Sequence, residues 1–513
     1  MEKTENINWS NIDKKARGMI MLGLALGMLL AILDGTIVST SLPTIINDLG
    51  GAELYSWVFT GFMLCETVMI PISGKLSDLY GRKPLFLIGI AVFMTGSILS
   101  GICNNMTELI IFRAIQGLGG GMLIPVATAA VADLYSPAER GKVQGMLGSL
   151  FAVAMCLGPF LGGYITDNLS WHWVFFINVP LGLMALFLTA KKFPKQERVE
   201  GIKIDYTGIA LLSAFLLVFL LFFTWAGVDF PWVSVESFAM IAASMGLIAL
   251  FIWNEFKASD PVLKPMLFKN RMFVQCAIIM LIFGMGMMGI MAYLPVFMQV
   301  VVGMSATNSG VVILPLVIGM MITSMTSGFT VKRTGYRPWL IVGPIISASG
   351  MFLLSTLNMD SLVEIAVLYL FITGVGLGCV MSVVMIAAQN SAKRNEMGMT
   401  TSSVNLFRSI GSTIAVGIFT TLINGKIATE LLVLPPKVYD IIPHTIGVLN
   451  YIEAFPTFFN EIVNAYGNSV TYAFMIGGIV VLMVLAVAIF VKGKPSEVIE
   501  LNKDEGIETD EAV

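Results

Sequence analysis

Fourteen apolar runs, each about the length of a membrane-crossing helix, punctuate this chain of 513 residues. A hydrocarbon core about 30 Å thick is crossed by about 20 helical residues. Only a lipid solvent rewards so many such runs in one chain. They fall near 17–38, 55–74, 84–103, 108–130, 142–165, 174–191, 207–226, 234–254, 274–298, 306–328, 338–357, 363–386, 400–423 and 470–492. The composition agrees: charged residues make up 12%, against about 25% in soluble domains, and hydrophobic residues 56%. This excludes a soluble enzyme, a nucleic-acid binder and a disordered chain. The net charge of −3 is too small to imply a polyanionic partner. The first run is not a cleaved leader: it is too long, holds Asp34, and is followed by no small-residue cleavage site. The cysteines (Cys65, Cys103, Cys156, Cys276, Cys379) all lie in apolar runs, with the spacing of neither a metal site nor a disulfide framework. No metal is expected.

Lys and Arg orient the chain. With the N-terminus in the cytoplasm, 26 of the 30 fall in cytoplasmic segments and only Lys426 and Lys437 outside. The remaining two, Arg113 and Arg408, lie within runs. One missed or invented span would scramble this bias, so it supports fourteen spans with both termini cytoplasmic. The segments expected are a cytoplasmic N-terminus (1–16), a six-helix bundle (17–195), two inserted helices (205–255), a second six-helix bundle (270–492) with a long outer loop (424–469), and an acidic cytoplasmic tail (493–513). The outer loop, with Pro435-Pro436 and Phe455 to Phe459, reads as a packed cap or hairpin.

The loop after the second run reads GKLSDLYGRK (Gly74 to Lys83), and the loop after the tenth reads GFTVKRTGYR (Gly328 to Arg337). Gly74 matches Gly328, Gly81 matches Gly335 and Lys83 matches Arg337; the second loop has Lys332 where the first has Asp78. Two related loops after corresponding runs indicate duplicated halves. The two helices near 207–254 then stand between them.

Several motifs, in order, resemble the major facilitator superfamily, and within it the fourteen-helix drug:proton antiporter branch. LDGTIVSTSLP (Leu33 to Pro43) resembles that branch's first-helix motif, with an acid inside the membrane. Gly74 to Lys83 resembles the superfamily's helix 2–3 loop motif, with Leu79 where a basic residue often follows the Asp. RAIQGLGGG (Arg113 to Gly121) resembles the fourth-helix motif. AMCLGPFLGG (Ala154 to Gly163) resembles the fifth-helix antiporter motif, with Ala154 for its first Gly. WHWVFFINVPLG (Trp171 to Gly182) resembles a segment typical of the fourteen-helix branch, with His172 where Arg is usual. The resemblance implies an all-α membrane protein of the major facilitator fold, with 14 transmembrane helices arranged 6+2+6.

The intramembrane charges are the candidate working residues. An ionised carboxylate in hydrocarbon costs several kcal/mol, so Asp34 must face a cavity or a partner. There it can load and release a proton, or attract a cation. Glu66, mid-span, is a second proton site or a substrate counter-charge. Arg113 lies at a depth similar to that of Asp34, and the resemblance gives it a proton-coupling role. Gln116 is one turn further on. Met287 and Met291, in a Met cluster of the ninth run, are candidate cavity walls beside Asp34, Glu66 and Gln116. Gly158-Pro159 kinks the fifth span, and Gly162 and Gly163 are expected to pack it on a helix of the other half. Gly74, Asp78, Gly81, Arg82 and Lys83 belong to a conformational latch, with Asp78 capping a helix or pairing with a base. Arg408 receives no role.

The resulting expectation is a secondary transporter, not an enzyme, exporting lipophilic and cationic drugs by alternating access. It needs no cofactor and is driven by the proton gradient; no Gly-x4-Gly-Lys-Ser/Thr pattern suggests ATP. Its partners are the lipid bilayer, H+ and small molecules, with no nucleic acid, and it works as a monomer in a prokaryotic cytoplasmic membrane. The rivals are export of a tetracycline, lipid, siderophore or metabolite and, more remotely, a non-transporting sensor.

Overall fold

The computed structural model describes residues 13–50, 54–135, 137–193, 204–227, 229–304, 306–359, 361–393, 396–439, 441 and 455–491. Residues 1–12 of the expected N-terminal segment, the acidic tail and the middle of the outer loop lie outside these residues, as does the side chain of Pro159.

The described chain is helical: α1 (Lys14–Leu49), α2 (Tyr55–Tyr80), α3 (Arg82–Gly101), α4 (Met106–Leu134), α5 (Pro137–Asn168), α6 (Trp173–Phe176), α7 (Asn178–Lys192), α8 (Tyr206–Trp225), α9 (Val235–Lys257), α10 (Arg271–Val300), α11 (Ala306–Val311), α12 (Leu314–Thr334), α13 (Arg337–Leu354), α14 (Val363–Asn390), α15 (Met397–Glu430), α16 (Pro436–Tyr439), α17 (Phe459–Leu482) and α18 (Val484–Ala488). Every one of the fourteen apolar runs lies on helix. Among the described residues, thirteen helical stretches are long and apolar enough to cross a membrane. The remaining run lies in α5, a helix of 32 residues.

Polar residues start the helices where the hydropathy pattern begins. Asn105 accepts from the Glu108 amide at 2.9 Å, and the Glu108 carboxylate accepts from the Asn104 amide at 2.9 Å. This reciprocal cap satisfies two amides that the first turn of α4 leaves open. Asp205 caps α8 and Asn270 caps α10 in the same manner. Some helices outrun their apolar runs. Helix α1 continues to Leu49, and α15 continues through Lys426 and Glu430, which pair at 2.7 Å across one turn. With α17 starting at Phe459, the outer loop is shorter than hydropathy implied.

Buried apolar side chains form two clusters. One runs from Ile20 to Phe193 on α1–α7; the other spans α8–α18, from Leu212 to Val491, and includes Ile70 of α2. The clusters meet along two seams, α2 against α15 and α5 against α12. Helix α8 packs on α9, α2 and α15 and so covers the first seam.

The duplication extends beyond the loops into the packing. Gly117 and Gly121 of α4 lie against the backbone oxygens of Phe62 and Glu66 on α2, and Gly119 lies against Phe93 on α3. Gly374 and Gly378 of α14 lie in the same way against the oxygens of Leu316 and Met320 on α12, and Gly376 against Ser347 on α13. Residues of α2 and α3 map to α12 and α13 at the loop offset of 254, whereas α4 maps to α14 at 257. At each of these glycines a Cβ would overlap the facing helix, so glycine is what lets the helices approach so closely. The loop glycines Gly81 (φ 91°) and Gly335 (φ 80°) also match, both in the left-handed region that ends a helix.

Candidate functional site

The centre of the first cluster holds a closed polar knot. Asp34 of α1 and Arg113 of α4 form an ion pair with both side chains fully buried. Gln116 Nε2 donates to Asp34 Oδ1 at 2.8 Å, while Gln116 Oε1 accepts from Arg113 Nη1 at 2.7 Å. Asn178 Nδ2, at the start of α7, donates to the same Asp34 Oδ1 at 2.9 Å and to Ser97 Oγ of α3 at 3.0 Å. Ser97 in turn donates to the Phe175 carbonyl at 2.8 Å. The Arg113 guanidinium also lies 4.2 Å from the centre of the Phe62 ring. Two buried charges are tolerable only when paired and surrounded by hydrogen bonds. Asp34 has both. Among the described residues, Arg113 Nε and Nη2 and Asn178 Oδ1 are buried without partners.

The fourth-helix motif builds this site mechanically. Its glycines draw α4 onto α2 and α3, which sets Arg113 and Gln116 against α1. The Trp171 segment contributes at its other end: Trp171 Nε1 donates to Asp48 of α1 at 2.7 Å. This tie holds α1 against the segment that carries Asn178. Sequence reasoning missed Asn178 and Ser97. The available signal was one amide inside an otherwise apolar stretch.

Glu66 of α2 is half-buried and lies on the α4 side, with its Cγ beside Gly120. Arg408 of α15, Arg113 and Asp34 are the charges that act on it. The next residue on each helix, Thr67 and Ser409, joins α2 to α15 by a hydroxyl–hydroxyl hydrogen bond of 2.7 Å. Arg408, which had no role in the sequence reading, thus sits at the seam between the clusters.

Polar contacts between the clusters gather at the end where α2 turns into α3. Asp78 accepts from the Gly398 and Met399 amides, at 3.0 and 2.8 Å, on the first turn of α15. It also pairs with Arg82 at 2.6 Å, and Arg82 reaches Asp133 of α4 at 2.9 Å. Asp78 therefore both caps a helix and pairs with a base. Lys83 donates to the Phe193 carbonyl at 2.8 Å. Gly74 lets α2 meet Ser402 of α15. Beside the second seam α5 also reaches α14: Gln144 meets Gln389 at 3.1 Å and Arg140 meets Asn390 at 3.0 Å.

Two expectations need correction. Gly158 and Gly162 pack on Thr36, Ile37 and Thr40 of α1, within the same cluster, and Gly163 has open space around it. The reason is helical phase. Gly158 and Gly162, four apart, share the face toward α1, Gly163 is turned away from it, and α5 meets the other cluster earlier, where Gly145 lies on Ser324 and Met325. Met287 and Met291 belong to the second apolar cluster, Met287 buried in it and Met291 packed against it. A small cavity between the clusters, about 30 Å³, is lined instead by Met28, Met280, Met381 and Met385, with Thr128, Gln144 and Asn405 among its polar atoms.

No group of His, Cys, Asp and Glu suited to a metal ion occurs among the described residues. Cys103, in the turn after α3, is a buried free thiol.

Residues 24–416 match the model of the Major Facilitator Superfamily, and the chain belongs to that family of transporters. It is 39% identical over 420 residues to the multidrug transporter protein MdtP of Bacillus subtilis, covering 81% of this chain and 78% of that one. It is 34% identical over 487 residues to multidrug resistance protein 3 of the same bacterium, covering 93% and 95%. Among solved structures it is similar to the proton:xylose symporter XylE, with TM-score 0.61 at 14% identity, covering 95% of this chain and 99% of that one. A bacterial homologue of the lysosomal transporter Spinster gives TM-score 0.60 at 15% identity, covering 96% and 99%. At such identities the likeness shows the fold.

Proposed function

We propose that this protein exports lipophilic cations, drugs among them, in exchange for protons by alternating access. The observation that carries the reading is the fully buried Asp34 carboxylate, held by Arg113, Gln116 and Asn178 inside one apolar cluster. In hydrocarbon, a carboxylate that exchanges a proton changes the charge balance of its whole surroundings. Protonating Asp34 releases Arg113 from its ion pair. Losing the proton restores the pair. Each proton entering the cell contributes about 2.3 kcal/mol per 100 mV and about 1.4 kcal/mol per pH unit.

In this reading the helices form two six-helix bundles with two helices inserted between them. Both termini and the α2–α3 end face the cytoplasm of a prokaryotic cell, and the protein acts as a monomer. Asp78, held by Arg82, then closes the cytoplasmic gate with Gln144 and Arg140, and the bonds of Asp78 to α15 and of Gln144 and Arg140 to α14 break when the bundles rock inward. The cavity walled by Met28, Met280, Met381 and Met385 is the remnant of the substrate path, since flexible thioethers suit varied ligands. Glu66 supplies a second negative charge for a proton or a cationic substrate. The multidrug names of the two Bacillus relatives support drug efflux.

Asp34→Asn tests the reading. In inverted membrane vesicles, efflux of a cationic dye driven by a pH gradient is expected to fall to background with protein levels unchanged. Normal gradient-driven transport by this variant sinks the coupling role. A toxicity panel in an efflux-deficient host is expected to show resistance to dyes and quaternary ammonium compounds. Resistance confined to a tetracycline replaces the substrate class and leaves the mechanism standing.

A further inference from the structure

Of the two amides that hold Asp34, only Asn178 has an end left over. Gln116 is engaged at both: its Nε2 donates to Asp34 and its Oε1 accepts from Arg113. Turning it over would place two oxygens face to face and strip Arg113 of a partner. Asn178 spends both amide protons, on Asp34 and on Ser97, while its Oδ1 is buried with no partner among the described residues. A charged carboxylate only accepts, so it selects the amide nitrogen. A protonated carboxyl carries an O–H that must donate, and a buried donor without an acceptor is costly.

We propose that Asn178 is the positioning residue that reads the proton on Asp34, by turning its side-chain amide over. With Asp34 charged, Nδ2 donates to it and to Ser97. With Asp34 protonated, the amide rotates and Oδ1 accepts from the carboxyl O–H. The Ser97 hydroxyl then leaves the Phe175 carbonyl and donates to the same Oδ1. The amide makes two hydrogen bonds in either state; turning over leaves its N–H groups where Oδ1 stood and takes Ser97 from the Phe175 carbonyl, a cost that placing the carboxyl O–H on an acceptor offsets. The switch acts at a break in the chain: Asn178 is the first residue of α7, and only Ile177 separates it from α6. The protonation state of Asp34 on α1 is thereby signalled to the α6–α7 junction and to α3, while the proton itself stays on Asp34. This inference rests on the coupling role proposed for Asp34.

The charges that bear on Asp34 are few. Arg113 faces it from α4, and Glu66 of α2 acts on it at longer range. Helices α5 and α7 carry charges only near their ends, and α6 carries none. Removing the Asn178 amide thus leaves the other terms in place.

The test is the pH profile of dye efflux in inverted vesicles from the full-length chain. Asn178→Leu keeps the volume but neither donates nor accepts. A bond to a charged acceptor is worth more than one between neutral partners. Its loss is expected to move the pH of half-maximal transport upward by about one unit. Asn178→Ser, whose hydroxyl does both by rotation, is expected to stay within a few tenths of a unit of wild type. A midpoint unchanged in Asn178→Leu, with only the rate lowered, overturns the proposal. Asp34→Asn run alongside separates the failures. Loss of proton drive there, with an unmoved Asn178→Leu midpoint, overturns the Asn178 role alone. Undiminished drive overturns the Asp34 reading and this one with it. If Asn178→Leu does not accumulate, infrared difference spectra across pH on reconstituted wild type decide. The Asn178 amide C=O band is expected to shift together with the Asp34 carboxyl band, and to stand still in Asp34→Asn. An amide band indifferent to pH in wild type overturns the switch.

Discussion

The two halves share one frame of helix contacts and differ in what the frame holds. On α4 and α14 the glycines meet the same backbone atoms of equivalent helices. Yet with the offsets that align the glycines, Arg113 falls on Leu370, Gln116 on Thr373 and Glu66 on Met320. Helices α10 and α12 carry no acidic residue at all. The close packing is therefore a property of the scaffold, and the buried ion pair is an addition to one copy of it; the other copy brings Arg408 to the seam. A half without such a pair can serve as a rigid counterpart. The half that holds a buried ion pair has something to switch.

The sharpest way to break this contrast is to make the first half like the second. Arg113→Leu installs the residue found at the equivalent place and leaves Asp34 buried and unpaired. Removing one partner of a buried pair costs about 3–5 kcal/mol. Unfolding in detergent is expected to show a loss of that size, with gradient-driven efflux abolished. Asp34→Asn combined with Arg113→Leu is expected to recover most of the stability and none of the transport. Equal stability of Arg113→Leu and wild type would mean that the pair carries no structural load, and the contrast between halves would then concern chemistry alone.

The glycines test the shared part. A Cβ at Gly117 overlaps the Phe62 oxygen, and one at Gly374 overlaps the Leu316 oxygen. Neither obstacle is the end of a flexible side chain, so the helices themselves must separate. Alanine at either site is expected to cost about 1–3 kcal/mol, the usual range for overpacking. The two losses are expected to agree within about 1 kcal/mol, read from thermal unfolding in detergent. A harmless Gly374→Ala beside a damaging Gly117→Ala would show that the frame is shared in form and not in function.

How much of this could be read from the chain follows from which signals are local. Hydropathy located every run on a helix because lipid imposes the same demand at each span. It missed the ends of α1 and α15, where polar residues continue the helix outside the apolar stretch. The loop repeat was legible because Gly81 and Gly335 both end helices at positive φ. The glycine ladder was not, since the offset changes by three residues between α13 and α14. Asp34, Arg113 and Gln116 stood out as polar groups in apolar helices. Asn178 did not, because an amide near a helix start has many ordinary uses, and only the fold brings it to Asp34. The direction of Gly163 depended on helical phase, which a motif does not specify.

The smallest effect expected separates the two loops. Asp78 and Lys332 occupy equivalent positions, yet Asp78 is nearly buried beneath α15 and Lys332 is exposed. Asp78→Asn keeps one acceptor for the α15 amides and loses the charge that pairs with Arg82. A hydrogen bond to a charged group is worth about 1.5–3 kcal/mol and a neutral one about half as much. The variant is expected to loosen the closed α2–α15 seam by about 1–2 kcal/mol, and to slow dye efflux about tenfold while the protein stays folded. Lys332→Gln removes an exposed charge and is expected to leave efflux within about twofold, as surface substitutions usually do. Accessibility of a cysteine placed at Ser402 to a membrane-impermeant thiol reagent gives the same comparison without transport. It is expected to rise in Asp78→Asn and to stay at the wild-type level in Lys332→Gln. A rise in both would mean that the two loops latch alike, and that the asymmetry of the halves stops at the buried ion pair.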